Sequence, residues 1–511
     1  MGTSFAFFAP MRSAPLHFDR GPRIATAAPC EGAKGVYNAL IGEAGPGLGT
    51  IDQATRAASR AFVGAALGEA AHLDSGIPDD PRLLSGWLAH GHRQTTAAYR
   101  RYLDGRRAGE PRRFFRNRSH ALHFVQAVAP TKLVDGAWLY GLLPRWSDAR
   151  LAPLTRIYLE ELGDGVPSQH HVLLYRKLLA SHGRERWHDL DDDHHVQGAI
   201  QLSLAHHAVE LLPEVIGFNL GYEQLPLHLP ITAYELNELG VDPYYFSLHV
   251  TIDNASTGHG HKSLQCALEC LPRAGDAAEF YRRLVSGFKL NDLGVGTMEA
   301  IASFDLDREL NAVLAAKASI GAELHSDYCR IAGRTVTEWL TTPGGMPGFL
   351  RALVGAGWIR RGAEPVESRF WRLLHDDRAP MFGVFDDYEK QLIGDWIVDA
   401  PPSAPASATH RGNVRPFRRP RATVPAVQAR PTTLGPMPGA MSVGQAIRRQ
   451  LEALSAADAA DEDVRFLTAR LADVDDAAVA VERLHGFLSP ANHTSPAGLL
   501  ATRIVSASIG P

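Results

Sequence analysis

Between about residues 119 and 300, apolar side chains recur at three- and four-residue intervals, and few stretches alternate as a strand would. Arg150–Leu162 reads as a helix that stops at Gly163. Ser168 is placed to cap a second helix running to Ser181, with Gly183 just past its end. Ala199–Leu212 is a third, and Glu214–Leu225 a short apolar one halted by Pro226 and Pro230. Asp242 is an N-cap and Pro243 a first helical residue, so a helix opens there. Its continuation runs through Leu264–Leu271. Connections this short predict an all-α bundle.

The same periodicity extends on both sides. Ile51–Leu67 and Pro81–Arg101 form a helical N-terminal extension over residues 1–118, and the bundle core occupies 119–300. Leu306–Lys317, Thr335–Leu340, Gly348–Val354 and Tyr388–Ile397 continue it over 301–400. From 401 to 440 prolines recur, acidic residues vanish and Arg411, Arg415, Arg418, Arg419, Arg421 and Arg430 accumulate. Such a stretch buries no core and predicts a disordered Pro/Arg-rich linker. A small helical C-terminal module follows over 441–511. Ser442 caps its first helix, and Asp461–Leu471 and Ala477–Leu488 supply two more, suited to docking or dimer contacts.

The chain has 511 residues, 45% apolar and 21% charged, which fits a soluble protein of more than one domain. A net charge of −4 gives no general attraction to nucleic acid or anionic membrane. Four cysteines are too few for a disulfide framework, and Cys266 and Cys270 lack the second pair a zinc site needs. No basic stretch precedes a long apolar run at the N-terminus, and no window is long and apolar enough for a membrane span. Cytoplasmic localisation is expected.

Candidate chemistry concentrates in four places. His249 and Asp253 lie four residues apart, one turn along the same helical face, flanked by Val250 and Ile252. An imidazole and a carboxylate on an inward face suit a divalent metal or a hydrogen-bonded core pair. Glu160 and Glu161 end one helix, and His170 and His171 begin the next across a Gly/Pro corner that can bring Glu161 to His171. Asp135 opens a turn-like stretch, and Glu223 sits in an otherwise apolar run with Tyr222, a core-packing or cavity-lining residue. Glu160 and His170 read as solvated neighbours of the inward pair. Carboxylates and imidazoles from separate helices, without thiolate, match two hard redox-active ions.

The series Glu161-Leu-Gly-Asp-Gly with His171 ten residues on, then Gly-Phe-Asn-Leu-Gly-Tyr-Glu223, then His249-x-x-x-Asp253-Asn-Ala, resembles the heme-oxygenase-like diiron oxidases, many described only as iron-containing redox enzymes. The resemblance covers about residues 120–300. It implies a heme-oxygenase-like helical fold in which two ferrous ions replace the heme, with dioxygen as co-substrate. It also implies N-oxygenation, or oxidative C–C or C–H cleavage, of an amine, amino acid or fatty acid. Glu161, His171, Glu223, His249 and Asp253 would be the catalytic ligands, and Asp135 would take the place of a carboxylate that is usually glutamate. The family's histidine three residues after the helix aspartate is Ser256 here. His259, turned inward by a break at Gly258, is the expected substitute, and His261 the alternative.

The sequence therefore predicts an iron-dependent oxidoreductase acting on a small molecule, without nucleic-acid or membrane partners, with room for an external electron donor and a homodimer. Its rival is a non-catalytic helical heme- or ligand-binding protein or scaffold.

Overall fold

The computed structural model describes residues 32–42, 51–252, 258–322, 325, 328–375, 378, 381, 383–399 and 443–509. The chain is all-α. Among the described residues the only strands are Arg330–Ile331 and Arg334–Thr335, a two-stranded antiparallel hairpin. Side-chain caps start many of the helices. Asp52 accepts from Ala54 N and Thr55 N ahead of Gln53–Ala70, and Asn117 accepts from His120 N ahead of Arg118–Ala127. Thr335 with Glu338, and Asp386 with Glu389, form reciprocal capping boxes.

Several boundaries differ from the sequence expectation. Ser168 is an exposed turn residue, and the helix begins at His171 with no side-chain cap. The expected Ala199–Leu212 helix is Val196–His207, and a new helix, Leu212–Tyr222, starts where Pro213 has no N–H to continue the first. Pro230 lies in the first turn of His228–Glu238, where no intrahelical bond is lost. Pro496–Ile509 is an additional C-terminal helix. It buries Gly498, Leu499 and Thr502 as well as Ala497, Leu500, Ala501, Ile504 and Val505, so it is covered around most of its circumference rather than along the single stripe that marks a surface helix. The 401–440 linker and Ser442 lie outside the described residues.

Two large apolar clusters make up most of the core. The first joins Trp138, Tyr158, Phe218 and Leu284 to Leu467 and Leu500 of the C-terminal helices. The second joins Phe124, Tyr175, Ile231 and Tyr245 to Leu314, Phe349 and Leu392 of the later helices. Within the first, Leu212–Tyr222 and Ala277–Lys289 approach closely. A Cβ on Gly217 would overlap the Leu284 carbonyl, and one on Gly287 would overlap the Glu214 carbonyl.

The seam between the clusters positions the polar residues. Helix Ala152–Glu161 and helix His259–Glu269 pack into the first cluster, and helix His171–Ala180 and helix Tyr244–Ile252 into the second. Side chains at their facing ends are shielded from water by both cores.

Candidate metal centre

Glu161 is the last residue of Ala152–Glu161. The chain then reverses through Gly163, Asp164 and Gly165, all at positive φ (60°, 51° and 77°), and His171 opens the next helix. Gly136, at φ 78°, turns the chain after Asp135, and a Cβ there would sit 2.8 Å from the Glu161 Cβ. A glycine is thus required for the Asp135 turn to meet Glu161. His249 sits one turn into the helix that Asp242 caps by accepting from Tyr244 N at 3.0 Å.

These segments converge on two overlapping groups. Asp135, Glu161, His171 and His249 form one, and Glu161, Glu223 and His259 the other. Within each, the potential ligand atoms all lie within 4.8 Å of one another. All six residues are buried. Glu161 belongs to both groups.

The helix that carries His249 ends at Ile252, and a new one starts at His259 after an extended Gly258. That placement turns His259 inward, 1% exposed, while His261 is exposed. Asp253 and Ser256 lie outside the described residues.

Hydrogen bonds fix which ring nitrogens face inward. His249 Nδ1 contacts the Tyr245 carbonyl at 2.8 Å, an acceptor only, so that nitrogen carries hydrogen and donates. Nε2 then faces Asp135 Oδ2 at 3.1 Å. His259 Nε2 lies 2.9 Å from Glu160, leaving Nδ1 directed at Glu223 Oε2 (3.1 Å) and Glu161 Oε1 (3.2 Å). A carboxylate behind an imidazole whose other nitrogen faces a cluster of acceptors is the usual support for a metal-binding histidine.

Asp135 is held in turn by Tyr222 Oη (2.8 Å) and Tyr245 Oη (2.6 Å), and Lys132 Nζ donates to Tyr222 at 2.9 Å. Glu160 is anchored by Lys262 Nζ at 2.5 Å and Arg156 Nε at 3.2 Å.

The charges respond to this crowding. Burial raises the Glu161 carboxyl, but the His171 and His259 imidazoles outweigh it and bring it down to about 2. Burial likewise opposes ionisation of Asp135, yet bonds to His171 and His249 hold it well below its ordinary value. Burial lowers His171, and the Glu161 and Asp135 carboxylates lift it to about 10. Glu223 is raised by burial, against the lowering influence of His259.

Metal fits these residues better than protons alone. Glu223 Oε1 is buried without a hydrogen-bond partner, and the Glu161 carboxylate, in contact with His171 Nδ1, also faces Asp135 and Glu223. Buried acceptors turned toward one another are costly unless a cation lies between them. The donor set is oxygen and nitrogen only, which suits iron.

Two sequence expectations are corrected. His170 is not solvated but fully buried, with Nε2 2.9 Å from His493 Nδ1. Glu160 is the supporting partner of His259 rather than a surface neighbour. Tyr222, read as packing or cavity lining, spends its hydroxyl on Asp135. Tyr245 was legible, since it lies one turn before His249. His493, more than three hundred residues from His170, carried no local signal.

Residues 122–287 match the family model described as "Iron-containing redox enzyme". The matched segment is less than half of the chain and includes every residue of both groups. The all-helical architecture is consistent with the heme-oxygenase-like helical fold. No curated protein and no solved structure matches the chain. Among the described residues, no helix is long and apolar enough to cross a membrane.

Proposed function

We propose that the protein is a non-heme diiron oxidase or oxygenase that uses dioxygen to oxidise a small molecule. N-oxygenation, or C–C or C–H cleavage, of an amine, amino acid or fatty acid is the reaction class. The observation that carries this reading is Glu161, a buried carboxylate common to two groups of mutually facing carboxylates and imidazoles, in which Glu223 Oε1 has no hydrogen-bond partner. Two ferrous ions held there would supply the electrons that dioxygen accepts.

The chain's own residues have separable tasks. Asp135, His171 and His249 would hold one ion, Glu223 and His259 the other, and Glu161 both. Asp253 is a further candidate ligand from the sequence. Tyr222 and Tyr245 fix the Asp135 carboxylate, and Glu160 fixes the His259 tautomer. The two apolar clusters exclude bulk water from the seam, so charges there are weakly screened. An external electron donor completes turnover if the substrate does not supply all the electrons.

The test is anaerobic titration with ferrous ion, followed by exposure to dioxygen. The expected result is about two irons per chain and a change in visible absorption on oxygenation. A chain that takes up one iron or none would sink the proposal.

A further inference from the structure

The corner between Glu161 and His171 is not held by its own helices alone. Its turn places three consecutive residues at positive φ, and the middle one, Asp164, has a side chain. Such a conformation persists only where surroundings enforce it. Arg156 of the preceding helix donates to Asp164, and the rest of the surroundings come from the far C-terminus. Arg503 donates to the Gly165 carbonyl at 3.0 Å, and Ser506 Oγ to Asp164 Oδ1 at 2.8 Å. A Cβ on Gly165 would overlap the Leu499 carbonyl, so helix Pro496–Ile509 lies directly on the turn.

The same segment grips both flanking helices. Tyr158 Oη, one turn before Glu161, donates to the Leu488 carbonyl. Arg176, in the helix His171 opens, donates to Thr494 Oγ1 at 3.1 Å. Between them the His170 and His493 rings stack with centroids 4.9 Å apart and planes 22° from parallel, joined by the 2.9 Å nitrogen–nitrogen hydrogen bond. Both rings are at most 1% exposed, so water cannot replace either partner.

We infer that residues 488–506 form a positioning clamp that sets the Glu161–His171 corner in metal-binding geometry, with His493 as its central positioning residue. This rests on the diiron reading above. The clamp lies outside the matched segment 122–287, so this chain supplies to its metal centre an element from beyond that segment. His171 belongs to one ligand group only, so loss of the clamp acts most strongly on the ion bound with Asp135 and His249.

The experiment titrates the full-length chain anaerobically with cobaltous ion, reading the visible absorption of each bound ion, alongside circular dichroism and thermal unfolding. His493→Ala is expected to weaken one of two binding steps by up to about 10-fold, the lower end of the scale for losing a direct partner of a metal ligand, since His493 acts on His171 through His170. His493→Gln, which keeps a buried hydrogen-bonding group, is expected to recover most of that loss. Leu353→Ala, in the second apolar cluster, serves as a destabilised control with wild-type binding. If His493→Ala does not fold, Arg503→Met removes a single clamp donor and is expected to shift the same step. Wild-type affinity at both steps in the folded clamp variant overturns the inference, as does an equal loss in Leu353→Ala. A wild-type chain that binds no metal overturns the diiron reading and this inference with it.

Discussion

His249 Nε2 lies 3.1 Å from Asp135 Oδ2, although the ring's other nitrogen already donates to the Tyr245 carbonyl. With Nδ1 committed, Nε2 either carries a second proton or offers a lone pair to a cation beside the carboxylate. Tyr245 takes part twice, through its carbonyl to His249 and its hydroxyl to Asp135 at 2.6 Å. Tyr245→Phe keeps the ring and the backbone contact and removes only the hydroxyl. Metal affinity is expected to fall about 10-fold, with little change in fold, as measured by competition with a chelator.

Glu161 and Glu223 differ in how many ligand groups they serve, and stoichiometry exposes the difference. Glu223→Gln leaves Asp135, Glu161, His171 and His249 intact and should retain one tightly bound ion. Glu161→Gln removes charge from both groups and should leave neither site tight. Equilibrium dialysis with elemental analysis measures both. Equal metal content in the two variants would contradict the bridging role assigned to Glu161.

How much of this was legible in the sequence follows from distance along the chain. The helix carrying His249 was readable because Asp242 and Pro243 are local start signals. The inward turn of His259 was also readable, from the glycine before it. Burial of His170 was not, because its partner His493 is brought up by tertiary packing alone. Helix Pro496–Ile509 escaped detection because it is buried around most of its circumference and shows no amphipathic stripe. Glu160 looked exposed because its role depends on His259 arriving from another helix.

A fold-level pH effect arises away from the metal centre. Burial, reinforced by Arg184, holds His123 down at about 4, against an unfolded value of 6.5. A depressed imidazole favours the native state fully above the unfolded value, and that contribution is lost as pH falls from 6.5 through about 4. His123→Gln cannot be protonated in this range. Wild-type stability is therefore expected to decline relative to this variant as pH is lowered from 7 to about 4, measured by urea denaturation of the metal-free proteins. Parallel pH profiles would refute the assignment.

The metal centre should show the opposite dependence. His171 is lifted to about 10 and His259 well above its ordinary value, so both imidazoles are protonated at neutral pH in the metal-free protein. Their pairing with carboxylates favours the metal-free fold below pH 6.5 and ceases to do so as pH rises through about 10 for His171. An ion bound at the inward nitrogens must displace those protons, about one from each imidazole. Apparent metal affinity should therefore rise with pH over the range in which metal-free stability falls. Calorimetric titration in two buffers of different ionisation enthalpy checks the proton count directly. Heats that do not depend on the buffer would show that no proton leaves, and that the ions bind elsewhere than between His171, His259 and their carboxylates.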